Sequence, residues 1–582
     1  MKILLVALNA KFIHSSLALR TLKSYCGSIE QNIETCEFTI NNEKEFILSE
    51  IYNKHPDAVG FSCYIWNIEM TLHIAQMLKK VLPNVFIFLG GPEVSFESSL
   101  LLKENNFIDL VIRGEGEKIF YNMAKSLING SFDFSSINGV TYRKGEEIVV
   151  NPSEKELDLN DIPFSCGNLQ DMENRIIYYE SQRGCPYNCQ FCLSSIDGKV
   201  RFLSDERVKS DLDFFLKNNV KQVKFVDRTF NCSKNHAHFI WSYLMEHDNG
   251  KTNFHMEIEA HILDDNEIEF LKNARKGLFQ FEIGVQSTNN KTLAAVSRSN
   301  DFETLRHKVE KIKEGKNIHV HLDLIAGLPY EGYESFKKSF NDVYSLKPEQ
   351  LQLGFLKLLK GSGLRRDAEK YGIVYDSKAP YEVLYTRDMD FDHMLMLKNI
   401  EEMVETYYNS FKIPTTEKYV CCLFESPFDF YESLSNYWVN NGFHRVNHSK
   451  QELYVIFYNF CLNSGFSKTD IEIIKDLLKF DMLLSDNLKS MPNFIDESIT
   501  EEYKASKRKF FNTQSETEKY MPTLTDFSPQ QLSRMCRIEH FKYNILEYIN
   551  TNEIKAEEND ILFNYYNRDI ITNHAEIKHI SL

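Results

Sequence analysis

The chain is poor in the residues that punctuate or staple a fold: 582 residues hold 12 cysteines, 14 prolines and 24 glycines. Twelve cysteines are too few for a disulfide scaffold at this length, and nine of them are scattered: Cys26, Cys36, Cys63, Cys166, Cys232, Cys421, Cys422, Cys461 and Cys536. Scattered thiols of this kind fit buried positions in a reducing compartment. No run of 18 apolar residues occurs, so no membrane-spanning helix is expected. Cationic charge is in deficit. Lys and Arg number 67 against 83 Asp and Glu, leaving −16, which argues against broad contact with nucleic acid or anionic membrane but permits a local basic groove. A G-x-G-x-x-G fingerprint is missing, so a nicotinamide-type site is not expected. The opening Met1-Lys2-Ile3-Leu4-Leu5-Val6-Ala7-Leu8 is too short in apolar length for a signal peptide and lacks a clear cleavage site. A buried first strand and a soluble, cytoplasmic protein are the expectation. With 43% apolar and 13% aromatic residues the chain can fill several cores, and its length suggests about three domains.

The remaining three cysteines stand together in Arg183-Gly184-Cys185-Pro186-Tyr187-Asn188-Cys189-Gln190-Phe191-Cys192, directly after the apolar run Ile176-Ile177-Tyr178-Tyr179. A zinc site would add a second knuckle or nearby histidines, and none follows. Three thiolates can hold three irons of a four-iron cluster and leave the fourth open. The C-x3-C-x2-C spacing resembles the radical S-adenosylmethionine (radical SAM) superfamily. That resemblance implies a [4Fe-4S] cluster on Cys185, Cys189 and Cys192, with SAM chelating the open iron. Reductive cleavage of SAM then gives a 5′-deoxyadenosyl radical, and Phe191 packs against the adenine.

Upstream, residues 1–135 alternate short apolar strands (3–8, 36–40, 58–62, 85–89 and 110–113) with amphipathic helices such as 69–82. This pattern means an open, doubly wound, flavodoxin- or Rossmann-like parallel sheet, with ligands beyond the carboxyl ends of the strands. Those ends carry Ser62-Cys63-Tyr64-Ile65-Trp66, Gly90-Gly91-Pro92-Glu93 and Arg113-Gly114-Glu115-Gly116-Glu117. The region resembles the cobalamin (B12)-binding domains that precede many radical SAM enzymes. The resemblance implies cobalamin contacts from Ser62, Tyr64, Trp66, Gly90, Gly91, Glu93, Gly114 and Glu115. It departs in one respect: the D-x-H-x-x-G motif whose histidine binds cobalt is missing. His14 is followed by Ser15-Ser16-Leu17 and His73 lies within a helical pattern. A base-displaced cobalamin with Tyr64 and Trp66 beneath the corrin is then implied.

Residues 136–170 read as a hairpin with a Lys-Gly turn followed by an acidic linker. Residues 171–375 resume the βα alternation, with strand candidates 176–181, 222–227, 254–260, 278–285, 319–325 and 350–358. Six units suggest a partial (β/α)6 TIM-like barrel with its site at the C-terminal strand ends. The polar residues there resemble the SAM-binding elements of radical SAM enzymes of the oxygen-independent coproporphyrinogen oxidase type. By that resemblance Asp227 receives the SAM amino group, Glu259 and Gln286 hold ribose and methionine, and Arg298 pairs with the carboxylate. Asp323 completes the cradle, and Ile325 and Gly327 support the adenine. His319 and His321 share one strand face and are expected to pack rather than bind a metal.

Residues 376–582 are expected to be mainly helical, capping the barrel or docking a substrate. The combined resemblance implies a cobalamin-dependent radical SAM enzyme methylating an unreactive carbon of a small molecule or peptide, fed electrons by a flavodoxin or ferredoxin. The alternatives are a cobalamin-dependent radical SAM cyclase or rearrangement enzyme, and a non-enzymatic cobalamin or iron–sulfur sensor. A methylthiotransferase would bear further cluster cysteines upstream, and they are missing.

Overall fold

Strand β1 (Ile3–Asn9) is apolar at every position but the last, and this fits an interior strand of a sheet covered on both faces. Ile3, Leu5 and Ala7 enter one core with Leu19, Phe120 and Met123. Leu4, Val6 and Leu8 enter another with Ile47, Ile74 and Leu78. The two cores are the two helical layers of a doubly wound sheet. The computed structural model describes residues 1–582 except 168, 195–197, 299–300 and 496–499. It divides into two units, Met1–Phe336 with Gly354–Phe391, and Lys337–Leu353 with Asp392–Leu582.

In the first unit β1 is flanked by β2 (Ile33–Thr39) and β3 (Ala58–Ser62), followed by β4 (Phe86–Gly90) and β5 (Leu110–Ile112), all parallel. The order β2-β1-β3-β4-β5 puts a topological switch between β1 and β3, where such sheets bind ligands. The hairpin β6 (Val140–Lys144) and β7 (Glu147–Val150) is not a free-standing linker element. β6 pairs antiparallel with β5, making a mixed seven-stranded sheet. Val140, Thr141 and Tyr142 of β6 are all buried in that position, and β7 forms the edge.

The second sheet of this unit holds β8 (Ile177–Tyr179), β11 (Gln222–Phe225), β12 (Asn253–Ile258), β13 (Phe279–Gln286) and β14 (His319–Ala326) in parallel. Before β11 lie β9 (Gln182–Arg183) and β10 (Arg201–Phe202); β15 (Gln350–Phe355) is the sixth strand in the sheet order. The order is open, in keeping with a partial barrel. Alternate residues are apolar and buried on one face, as with Phe254, Met256, Phe279, Phe281 and Ile283. The other face carries Lys224, His255, Glu257, Glu282, His321 and Asp323. Short strands β16 (Val374–Tyr375) and β17 (Val383–Tyr385) pair antiparallel.

The second unit is helical as expected over residues 391–485, but it also contains a three-stranded antiparallel sheet that periodicity did not reveal: β18 (Cys536–Phe541), β19 (Asn559–Arg568) and β20 (Ala575–Ile580). Leu477, Phe480 and Leu483 of the helix Lys468–Ser485 share a core with Phe541 and Phe563 of that sheet. Two carboxyls are sealed within this unit. Asp481 accepts from the Thr415 and Thr416 amides at 3.1 and 2.7 Å, capping the helix Pro414–Cys421. Glu417 accepts from the hydroxyls of Tyr344 at 2.7 Å and Tyr431 at 2.5 Å. Burial pushes the Glu417 carboxyl up to about 7, against both hydrogen bonds. The fold therefore favours its protonated form; that stability is complete below the unfolded value and is lost as pH rises through about 7. Unfolding free energy should fall by about 3 kcal/mol from this group between about pH 4.5 and pH 8. Glu417→Gln keeps the accepting oxygen and should flatten that slope, measured by urea unfolding at the two pH values.

Candidate active site

The cysteine segment is an excursion pinched at its base. β9 and β10 pair antiparallel, Arg183 opposite Arg201 and Gln182 opposite Phe202. Gly184 has φ 103°, and a Cβ there would collide with the Lys199 carbonyl, so the crossing needs glycine. Within the excursion the Cys192 amide donates to the Cys189 carbonyl at 3.0 Å. The Gln190 amide donates to Val296 O at 3.0 Å, and the Gln190 carbonyl accepts from the Leu364 amide at 2.8 Å. Cys185 and Cys189 are buried and Cys192 is half-buried. Burial pushes the Cys189 thiol up and the neighbouring Arg298 opposes it, while Cys192 and Cys185 add to the rise. Cys185 Sγ lies 3.4 Å from Thr229 Oγ1. Phe191 is half-buried between Gln190 and Cys192.

Arg298 connects this segment to the strand ends. Its guanidinium donates to Glu259 Oε2 at 2.8 Å, to the Gly284 carbonyl at 2.5 Å and to Cys189 Sγ at 3.8 Å. Glu259 is 5% exposed and its other oxygen lies 2.9 Å from His261 Nδ1. Gln286 adopts φ 69° at a bulge where the β13–β14 register shifts. A Cβ at Gly284 would collide with the Gln286 amide, so glycine permits the side chain to fold back over the strand. Asp323 stands on the same face, where burial raises its carboxyl. Ile325 is half-buried near the end of β14, and Gly327 follows at φ 88°.

Asp227 departs from its expected part. Its carboxylate accepts the Ser181 amide at 2.9 Å, the Gln182 amide at 3.1 Å and the Ser181 hydroxyl at 2.5 Å. The residue is fully buried, and burial pushes the carboxyl up to about 7. Three donors consume the group, so it fixes the β8–β9 bend that launches the cysteine segment rather than facing a ligand's amine. A strand-end carboxylate looks the same in sequence whichever way it turns.

Beyond the carboxyl ends of β3, β4 and β5 lies a cleft of about 440 Å³. Ser62, Tyr64, Gly90, Gly91, Gly114 and Glu115 line it, together with Arg183 of β9 and Arg228, which follows β11. An adjoining hollow of about 670 Å³ shares Gly91, Gly114, Arg183 and Arg228 and reaches Gly184 and Leu193 of the cysteine segment. Gly91 has φ 112°, and a Cβ there would come within 2.5 Å of the Cys63 carbonyl. Tyr64 stacks on Trp66 with ring centroids 4.3 Å apart and planes 6° from parallel. The Trp66 indole donates to the Leu8 carbonyl at 3.2 Å.

Two acidic residues of the cobalamin set are taken up by other partners. Glu93 is 2% exposed, accepts from the Tyr381 hydroxyl and lies 3.0 Å from Lys360 Nζ. It therefore braces the N-terminal sheet against residues 360–381 and does not line the cleft. Tyr381→Phe should cost about 1.5–3 kcal/mol by leaving this buried carboxylate short of a donor. Urea unfolding would register that loss, with cobalt content of the purified protein unchanged. Glu115 lines the cleft but spends its carboxylate on Arg201 and on Arg183, 3.4 Å away. Burial would raise its carboxyl; the two guanidiniums prevail and hold it below the usual range. Arg183 also pairs with Glu117 at 2.8 Å and Glu180 at 2.7 Å. Sequence reasoning missed Arg183, Thr229 and Arg228. The signal available was position: Arg183 abuts Gly184-Cys185, while Arg228 and Thr229 follow Asp227 at a strand end.

The donor sets fit the implied groups. Among the described residues, Gln286 Oε1, Arg298 Nε and Asp323 Oδ1 are buried without an aligned hydrogen bond around the cradle, and Ser62 Oγ is buried likewise beside the upstream cleft. Buried polar atoms without partners are costly, and a bound polar ligand relieves that cost. The three clustered thiols, with no histidine among them, suit an iron–sulfur cluster.

Comparisons with known proteins agree with this layout. Residues 3–124 match the family described as B12 binding domain, residues 179–343 the Radical SAM superfamily, and residues 369–563 a protein of unknown function, DUF4080. The chain carries a B12-binding domain followed by a radical SAM domain. It is 25% identical over 406 residues to the cobalamin-dependent radical SAM methyltransferase TokK of Streptomyces tokunonensis, covering 64% of this chain and 58% of that one. It is 23% identical over 336 residues to the anaerobic magnesium-protoporphyrin IX monomethyl ester cyclase of Rubrivivax gelatinosus, covering 52% and 57%. The chain thus spans under three-fifths of each relative. The solved cobalamin-dependent S-adenosylmethionine radical enzyme OxsB shares the fold at a TM-score of 0.58 and 16% identity, over 83% of this chain and 79% of that one.

Proposed function

We propose that this chain is a cobalamin-dependent radical SAM enzyme that methylates an unreactive carbon of a small-molecule or peptide substrate, reduced by a flavodoxin- or ferredoxin-type donor. When bound, the cluster, SAM and cobalamin supply one-electron reduction, SAM cleavage and methyl delivery. The observation that carries this reading is the convergence of both clefts on residues 183–192. Arg183 is held there by Glu115 and Glu117 at the start of the helix Gly116–Ile128 that follows β5, and Cys189 by Arg298 of the barrel cradle.

In this reading Cys185, Cys189 and Cys192 hold the cluster irons. Arg298 turns from Glu259 to a carboxylate of SAM, a bidentate match for its planar fork. Glu259 and Gln286 accept hydroxyl or ammonium protons, and Asp323 adds a third acceptor. Asp227 positions the cysteine segment through Ser181 and Gln182. In the upstream cleft the backbones at Gly91 and Gly114 admit close approach, Ser62 offers a hydroxyl, and the stacked Tyr64–Trp66 pair supplies a flat apolar surface. Glu259 and Gln286 are buried, which limits water in the barrel cradle, whereas Trp66 is 46% exposed.

The test is anaerobic incubation of the reduced full-length protein with SAM and candidate substrates. Formation of both S-adenosylhomocysteine and 5′-deoxyadenosine, with a product heavier by about 14 mass units, supports methylation. A rearranged product with no methyl gained would favour the cyclase reading, which the likeness to the magnesium-protoporphyrin cyclase motivates. Failure to consume SAM at all would favour a sensor. Among the described residues no helix is long and apolar enough to cross a membrane.

A further inference from the structure

Deeper along the barrel strands, one pleat below Asp323 and Gly284, three neighbouring strands bring together two imidazoles and a carboxylate. His255 of β12, Glu282 of β13 and His321 of β14 place their ligand atoms within 4.8 Å of one another. Glu282 and His321 are direct cross-strand partners in the parallel register. His255 and His321 are 7% and 5% exposed. Neither the iron–sulfur segment nor the SAM cradle uses any of the three.

Their contacts lack the alignment of hydrogen bonds. His255 Nε2 lies 2.9 Å from Glu282 Oε2, and His321 Nε2 lies 2.9 Å from Asp323 Oδ1. Both imidazole nitrogens, and Asp323 Oδ1, are buried, and these contacts are poorly aligned as hydrogen bonds. An N–H that does not point at its oxygen gains little from the short distance. Two buried imidazole edges left so would be costly unless something else occupies the space between them. A metal ion needs the opposite geometry: lone pairs, not hydrogens, aimed at a shared point. Donor atoms bound to one first-row cation at about 2.0–2.2 Å sit roughly 3–4.4 Å apart, so these three need to close only slightly.

Charge on this face agrees. Carboxylates of Glu257, Glu282 and Asp323 gather there, and Lys224 of β11 is set 2.9 Å from Glu282 Oε2. Lys224 Nζ donates to the same oxygen that lies beside His255 Nε2, which fixes the carboxylate and leaves Glu282 Oε1 as its other donor atom. We propose that His255, Glu282 and His321 form a binding site for one divalent cation of the zinc or ferrous type, separate from the cluster. Two imidazoles with one carboxylate suit those ions and leave coordination positions open toward the barrel interior.

The probe is Zn2+, measured by equilibrium dialysis and elemental analysis of the full-length chain. The same measurement is made on the Cys185/Cys189/Cys192→Ala background, where thiols of the cluster segment cannot contribute. One tightly held equivalent is expected in both. His255→Ala with His321→Ala should weaken it by 100-fold or more, whereas His319→Ala, on the same strand as His321, should leave it in place. The thermal transition monitors folding of the double variant; where that is lost, Glu282→Gln, which keeps size and shape, carries the same expectation. No retained zinc in the parent chain would overturn the site. So would binding that vanishes with the three cysteines, or that survives loss of both histidines or of the Glu282 charge.

Discussion

Replacing Cys185, Cys189 and Cys192 together with alanine is expected to reduce iron, sulfide and the broad visible absorption of the anaerobically reconstituted protein to background. The effect should be total because thiolate ligation is the whole attachment of such a cluster. The nine other cysteines do not offer a substitute set: Cys26, Cys63, Cys166, Cys421, Cys461 and Cys536 are buried within packed regions. Cys232 is the informative neighbour, since it lies close enough to influence Cys185 and its thiol contacts Gln182 Oε1 at 3.7 Å. Cys232→Ala should keep full iron content, because the cluster's fourth iron is reserved for SAM. Cobalt retention by the triple variant should match the parent, since Ser62, Tyr64, Gly91 and Gly114 stand on a different sheet. Unchanged iron and sulfide in the triple variant would falsify the assignment, and loss of iron in Cys232→Ala would mean a closed four-cysteine cluster with no open position.

What the sequence made legible was whatever local pattern determines alone. β1 could be placed from seven residues, because continuous apolar character admits no solvent-facing side. The cysteine triplet could be read because its chemistry depends on spacing. Direction was the failure. Asp227 and Glu93 both follow strand ends, yet one folds back onto Ser181 and Gln182 and the other is captured by Tyr381, 288 residues away in sequence. No local pattern encodes a partner at that separation. The hairpin Val140–Lys144 and Glu147–Val150 was visible as a hairpin, but its docking on β5 depends on an unpaired sheet edge elsewhere in the chain. In the last third, β19 (Asn-Asp-Ile-Leu-Phe-Asn-Tyr-Tyr-Asn-Arg) buries four consecutive residues and so shows no alternation to set it apart from the surrounding helices.

Arg298 combines both lessons and carries the second large expected effect. It lies beyond β13 and outside any periodic element, so only resemblance pointed to it. In the structure its guanidinium joins Glu259, the Gly284 carbonyl and Cys189. Its side chain is 12% exposed, so the guanidinium stands in a site largely closed to water. Truncating one member of a buried, hydrogen-bonded charge pair costs about 2–5 kcal/mol, which is roughly 30-fold to several-thousand-fold in affinity. Arg298→Met should therefore weaken SAM binding by at least about 30-fold while iron content and visible absorption persist. Arg298→Lys should recover little, since a point charge cannot reproduce the planar fork that spans a carboxylate and a carbonyl. Glu259→Gln should weaken SAM less. Combined with Arg298→Met it should add less than its own effect, because the arginine's removal already strands that carboxylate. Calorimetric titration of SAM into the parent and the four variants measures this directly. Equal affinity in parent and Arg298→Met would confine the arginine to holding Glu259 and the cysteine segment in place.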